Sequence, residues 1–130
     1  MNQTILSEVD VMYVQAEGLE KVKEAFSKLE AKLASLKGRK FYGAYTPQNG
    51  IYKACVAITK GDDPAALGLE TYTIPGGKYA GEKLNDWEQH IPEIGQTFMK
   101  MTETCNYDDT RPSIEYYRSM KEMVCYLPVK

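Results

Sequence analysis

Val22, Phe26 and Leu29 recur as Ile94, Phe98 and Met101 at a constant offset of 72 positions (94 against 22). Lys28 and Lys100 keep that spacing, as do Tyr45 and Tyr117, and Ala54 and Tyr126. A pattern that returns once in 130 residues leaves room for two small units and little else. Each unit reads as strand, helix, strand, strand. A unit of about 60 residues with a single helix covers only one face of its strands and is marginal alone. Two of them can share an antiparallel sheet with both helices on the same side. The expected fold is therefore α+β: duplicated βαββ-type units at about 8–74 and 76–130 of one 1–130 domain. Two helices then cover one sheet face and a ligand trough opens on the other. Seams of this kind are where small ligands collect.

Local patterning supplies the elements. Leu19, Val22, Phe26, Leu29, Leu33 and Leu36 recur at steps of three and four, which predicts a helix stopped by Gly38. Ile94, Phe98, Met101 and Cys105 predict a second helix, starting near Pro92, where proline is tolerated. Strands are predicted over 8–15, 41–46, 52–59, 69–74, 78–84, 113–118 and 123–129. Pro47-Gln48-Asn49-Gly50 predicts a hairpin turn, and 61–64 a loop.

Composition removes several functions. A net charge of −2 offers no basic surplus for a phosphate backbone, so no direct nucleic-acid partner is expected. Apolar runs such as Val11–Val14 fall far short of the roughly 20 residues of a membrane span, and the first residues lack the apolar core of a signal peptide. Cys55, Cys105 and Cys125 form no Cys-x-x-Cys and read as reduced thiols, which points to the cytoplasm. His90 is the only histidine, which excludes a histidine-based triad or a multi-histidine metal site. Asp108 and Asp109 lack the spacing of a calcium loop, and no glycine-rich phosphate loop occurs. No metal and no cofactor are expected. Ten tyrosines against three phenylalanines and one tryptophan suit a wall that is apolar yet tipped with hydroxyls.

Alternation along the last strands suggests where such a wall would stand. If Ile114 packs under the helices, Glu115 and Tyr117 face the trough. Cys125 and Leu127 then read as core, leaving Val124 and Tyr126 on the trough side, and the repeat sets Tyr45 where Tyr117 stands. A carboxylate against low-dielectric walls attracts cations. Each well-placed ring adds about 0.5–2 kcal/mol.

The tail Arg111-Pro112-Ser113-Ile114-Glu115-Tyr116-Tyr117-Arg118, with the segment 122–130 that ends Leu127-Pro128-Val129-Lys130, resembles the ending of GyrI-like domains. Gly76-Gly77-Lys78-Tyr79-Ala80 looks like the start of that family's second half, and 91–98 fits the helix after it. The resemblance covers most of the chain and is most specific at the C-terminal end. At 81–87, where members often carry a His-x-Gly-type segment, this chain has none. The resemblance implies paired βαββ-type units and a ligand trough, as in effector-binding domains of bacterial multidrug-responsive transcription activators. Glu115 matches the family's central acid and Tyr117 the tyrosine two places on; Tyr126, Tyr45 and Trp87 join them as expected ligand-binding residues. The leading expectation is a small-molecule binding or sensing protein for lipophilic, cationic compounds, acting through a regulatory protein partner if it controls transcription. The alternative is a hydrolase that opens strained electrophilic rings of toxic natural products, with Glu115 as general base and Tyr117 assisting the leaving group. A protein-interaction role is the third, carried by the family's naming as a gyrase inhibitor alone.

Overall fold

The computed structural model describes residues 2–130. Strands β1 (Asn2–Leu6) and β2 (Val9–Glu17) lead into helix α1 (Val22–Ala31). The hairpin β3 (Phe41–Thr46) and β4 (Ile51–Ala57) follows, then a short helix α2 (Pro64–Leu67), β5 (Glu70–Ile74) and β6 (Gly77–Asn85). Helix α3 (Ile91–Thr104) precedes the closing pair β7 (Ser113–Tyr117) and β8 (Glu122–Pro128). Three-residue 3-10 turns, Leu19–Lys21 and Trp87–Gln89, stand ahead of α1 and α3.

The eight strands form one curled antiparallel sheet in the order β1-β6-β8-β7-β3-β4-β2-β5. The predicted hairpin forms, with Phe41 opposite Val56 and Tyr45 opposite Tyr52. The contact between β3 and β7 joins the two halves of the chain and pairs Gly43 with Glu115. At the far ends, β1 runs into β2 around Ser7 and Glu8, and β5 into β6 around Pro75 and Gly76. Leu6 pairs with Gly77 and Val9 with Ile74, so the outer strands of the sheet meet at one corner. A Cβ on Gly76 would lie 2.9 Å from both the Glu8 nitrogen and the Leu6 oxygen, so only glycine lets the chains pass this closely.

Three expectations needed revision. Helix α1 stops at Ala31, not near Gly38, and the Lys37 amide donates to Ser35 Oγ at 3.2 Å. That local bond gives the backbone an alternative to further helix. The predicted loop at 61–64 runs into α2: Asp63 caps it by accepting from the Ala66 amide, Pro64 opens it, and Gly68 closes it at φ 72. Strand β1, made of uncharged residues with no strong alternation, is an element the sequence pattern did not announce. The offset of 72 also holds only in part. Strands β3 and β7 begin at 41 and 113, whereas β2 and β6 begin at 9 and 77. The slack falls around the helices, of which α3 has 14 residues and α1 has 10.

Both faces of the sheet are buried. On the helix side, Met12, Ala16, Tyr52, Ala54 and Val56 pack on Ala25 and Leu29 of α1, while Ala80, Met123, Cys125 and Leu127 pack with Met101 of α3. The helix-free side carries its own core of Val11, Ala44, Cys55, Ile74, Tyr79 and Ile114. These residues are at most 4% exposed with no helix above them. The expected open trough on this face is filled by the protein's own side chains, because the sheet curls toward it.

Candidate functional site

Ile114 faces away from the helices, contrary to the expectation from sequence. With both faces apolar, the apolar character of Ile114 says nothing about which face it takes. Pairing decides it: Glu115 lies opposite Cys125 and Ile114 opposite Tyr126, and cross-strand neighbours share a face. Glu115 and Tyr117 therefore stand on the helix side, and Tyr126 on the other. Glu115 belongs to the ground between the two helical clusters, not to a trough behind them.

Around the carboxylate the geometry is specific. Tyr52 Oη and Tyr117 Oη each donate to Glu115 Oε1 at 2.5 Å, and the two hydroxyls lie 3.5 Å apart. Tyr52 is buried on β4, while Glu115 and Tyr117 are half-buried. Among the described residues no side chain donates to Oε2, and no Lys, Arg or His lies within ion-pair distance of Glu115. Burial raises the Glu115 pKa above the ordinary carboxylate value, and the bonds from Tyr117 and Tyr52 partly offset that rise. The same burial, with the carboxylate alongside, pushes both tyrosines well above 10, so they remain protonated donors.

Gly43 makes this arrangement possible. It sits opposite both Ala54 and Glu115 in the sheet. A Cβ there would collide with the Tyr52 hydroxyl and lie 2.6 Å from Glu115 Oε1. Rings close the remaining sides. Phe26 of α1 meets Tyr117 edge-on at 5.5 Å and Tyr52 at 6.2 Å, and Trp87 meets Tyr117 at 4.9 Å. Trp87 is held by its Nε1, which donates to the Ser119 carbonyl at 3.0 Å. Its segment begins at Asp86, whose φ of 53 makes it the one non-glycine residue in the left-handed region among the described residues.

Of the residues expected from sequence, the structure brings together Glu115, Tyr117 and Trp87. Tyr45 shares their face but lies two residues along β3 from Gly43, opposite Tyr52 and Ser113. Tyr126 is separated from them by the sheet. Tyr52, Gly43 and Phe26 were missed as site residues. Tyr52 could have been found: it alternates with Ala54 and Val56, the apolar register that meets the helix. The pairing of Gly43 with Glu115 joins residues far apart in sequence, and no local pattern announces it. Open depressions elsewhere, one bounded by Asp10, Ile58, Thr71, Tyr72 and Thr73 and one along Val14–Glu17 and α1, carry none of these groups. The chemistry argues for the Glu115 cluster over either hollow, since a half-buried, unpaired carboxylate is the rarer feature.

No protein-family model and no curated protein matches this sequence. Solved structures do match in fold. An integron cassette protein from the mobile metagenome of Vibrio cholerae superposes with a TM-score of 0.76 at 17% identity, over 99% of this chain and 95% of that one. A hydrolase from Listeria innocua gives 0.62 at 12% identity, over 99% and 90%. The protein SAV2435, bound to tetraphenylphosphonium, gives 0.61 at 14% identity, over 99% and 93%.

Proposed function

We propose that this protein binds or senses lipophilic organic cations at Glu115, with Tyr117, Tyr52, Phe26 and Trp87 as aromatic surroundings. One observation carries the reading. A half-buried carboxylate has one oxygen held by two tyrosine hydroxyls, rings on several sides and no protein cation beside it. A buried charge without a partner costs stability, and a cationic ligand is the partner that would offset it. The fold it shares with a protein bound to tetraphenylphosphonium supports the ligand class. In this reading the halves are copies of one βαββ unit. The strand order supports that, since β6-β8-β7 and β3-β4-β2 run as reversed images about the central contact. So does the repeated sequence of a nine-residue strand, a positive-φ residue (Gly18 or Asp86) and a 3-10 turn. Three cysteines that form no disulfide suit a reducing compartment.

Trp87 is the sole tryptophan, so its fluorescence reports on this site directly. Tetraphenylphosphonium should change that emission saturably in the wild type. Glu115→Gln should weaken binding about tenfold or more. Equal binding by the two proteins would remove the carboxylate from the mechanism.

A hydrolytic use of the same carboxylate is favoured by its second oxygen, Oε2, which neither tyrosine holds and which would accept a proton from water. A Listeria innocua neighbour described as a hydrolase agrees in fold. Mass spectrometry after incubation with strained-ring electrophiles separates the readings. A product heavier by one water that disappears in Glu115→Gln would establish catalysis. Intact compound throughout would leave binding alone.

A further inference from the structure

The helix-free face holds a lysine set among tyrosine rings. On it Lys53 Nζ lies 4.7 Å from the Tyr72 ring centre and 5.5 Å from that of Tyr13. Tyr42 stacks on Tyr116 at 4.9 Å, with an interplanar angle of 18°. The register sets Tyr126 beside Ile114, Ile114 beside Ala44, and Ala44 beside Lys53. Small side chains thus form the floor: Ala44 and Cys55 are buried between the stacked pair and the Lys53 group. The five tyrosines and the lysine above that floor are all half-exposed.

Three properties bear on what would lie there. The Lys53 ammonium has no carboxylate within 4.0 Å among the described residues, and its near contacts are ring faces. None of these five tyrosine hydroxyls donates to another protein group among the described residues, so all are free to donate outward. Burial raises the pKa of Tyr13, Tyr42 and Tyr72 and keeps them protonated. None of the other charges on this face forms an ion pair with Lys53 among the described residues, although Glu70 stands opposite Tyr13 and adds to the rise in pKa that burial causes there. Arg118 is paired with Glu122 at 3.0 Å, Lys83 adds positive charge on β6, and Glu70 and Glu17 stand on the edge strand and at a strand end.

We infer that this face is a second binding site, for small planar aromatic anions such as aromatic carboxylates and sulfonates. Lys53 would meet the acid group and the tyrosines the ring and its polar edge. It is independent of the Glu115 site, which lies on the other side of the sheet and would take the opposite charge.

The probe is 8-anilinonaphthalene-1-sulfonate, compared with uncharged N-phenyl-1-naphthylamine, which keeps the rings and lacks the sulfonate. The folded wild type should bind the sulfonate saturably and more tightly than the neutral probe. Lys53→Met, which keeps an unbranched apolar stem, should weaken the sulfonate about tenfold and leave the neutral probe unchanged, while Lys53→Arg should retain binding. Glu115→Gln should bind the sulfonate as the wild type does, and excess tetraphenylphosphonium should not displace it. Absence of saturable binding, equal affinity for both probes, equal binding by Lys53→Met, or displacement by tetraphenylphosphonium would each overturn the inference.

Discussion

At the scale of single residues, Glu115 carries a cost with a definite pH dependence. Its pKa is raised in the folded protein, chiefly by burial. The folded state therefore holds the proton to higher pH than the unfolded chain, and stability is lost as pH rises from the ordinary carboxylate range through the raised value. Glu115→Gln removes that loss and can still accept from both tyrosines through its amide oxygen. The variant should melt at or above the wild-type temperature at pH 7, and the difference should shrink as pH falls from the raised value toward about 4.5, the ordinary value, and be absent below it. Thermal melts at several pH values check this. Binding should run the other way. Wild-type affinity for tetraphenylphosphonium should fall as acid protonates the carboxylate, and the slope should vanish in Glu115→Gln. A variant that is both more stable and less able to bind marks a residue kept for use and not for folding. That Glu115 and Tyr117 share a face of one strand was legible in the sequence, and the structure joins them by a hydrogen bond. Their side of the sheet was not, because it depends on which strands lie beside β7.

At the scale of elements, β3 is the hinge of the site although it supplies no polar side chain to it. Its contribution is an absence of side chain at Gly43, where β4 brings the Tyr52 hydroxyl and β7 brings Glu115. Gly43→Ala should cost about 1–3 kcal/mol of unfolding free energy by overpacking. It should also reduce cation binding, since the Cβ must displace Tyr52, Glu115 or both. Denaturant titration and Trp87 fluorescence read the two effects separately. Helix α1 contributes more than cover, since Phe26 reaches both tyrosines. The stripe at Val22, Phe26 and Leu29 made α1 readable from sequence. Its end was not, because Leu33 continues the apolar spacing and packs on the core from outside the helix. Periodicity records which residues are buried, and a turn can bury a leucine as well as a helix can. Trp87 was reachable only as an aromatic in an irregular approach. What fixes it is a hydrogen bond to the Ser119 carbonyl between β7 and β8, a partner distant in sequence.

At the scale of the whole molecule, one end of the sheet is closed by a strand that crosses from one half to the other. β1 precedes the first unit in sequence yet pairs with β6 of the second. Its outward edge carries no charged residue, and Ile5 is 73% exposed. Removing residues 1–7 should lower the melting temperature and leave β6 as an unprotected edge prone to self-association. Calorimetry and light scattering against concentration test this, and an unchanged melt with no added scattering would show that β1 is dispensable. The α+β class followed from spacing alone. The crossing of β1 did not, because a short uncharged strand resembles any other polar segment until its partner is known. Its consequence reaches to how the chain can be divided. Cleaved between Pro75 and Gly76, the protein would not give two self-sufficient lobes: the leading piece would carry off the strand that borders its neighbour, and the trailing piece would be left with a bare flank.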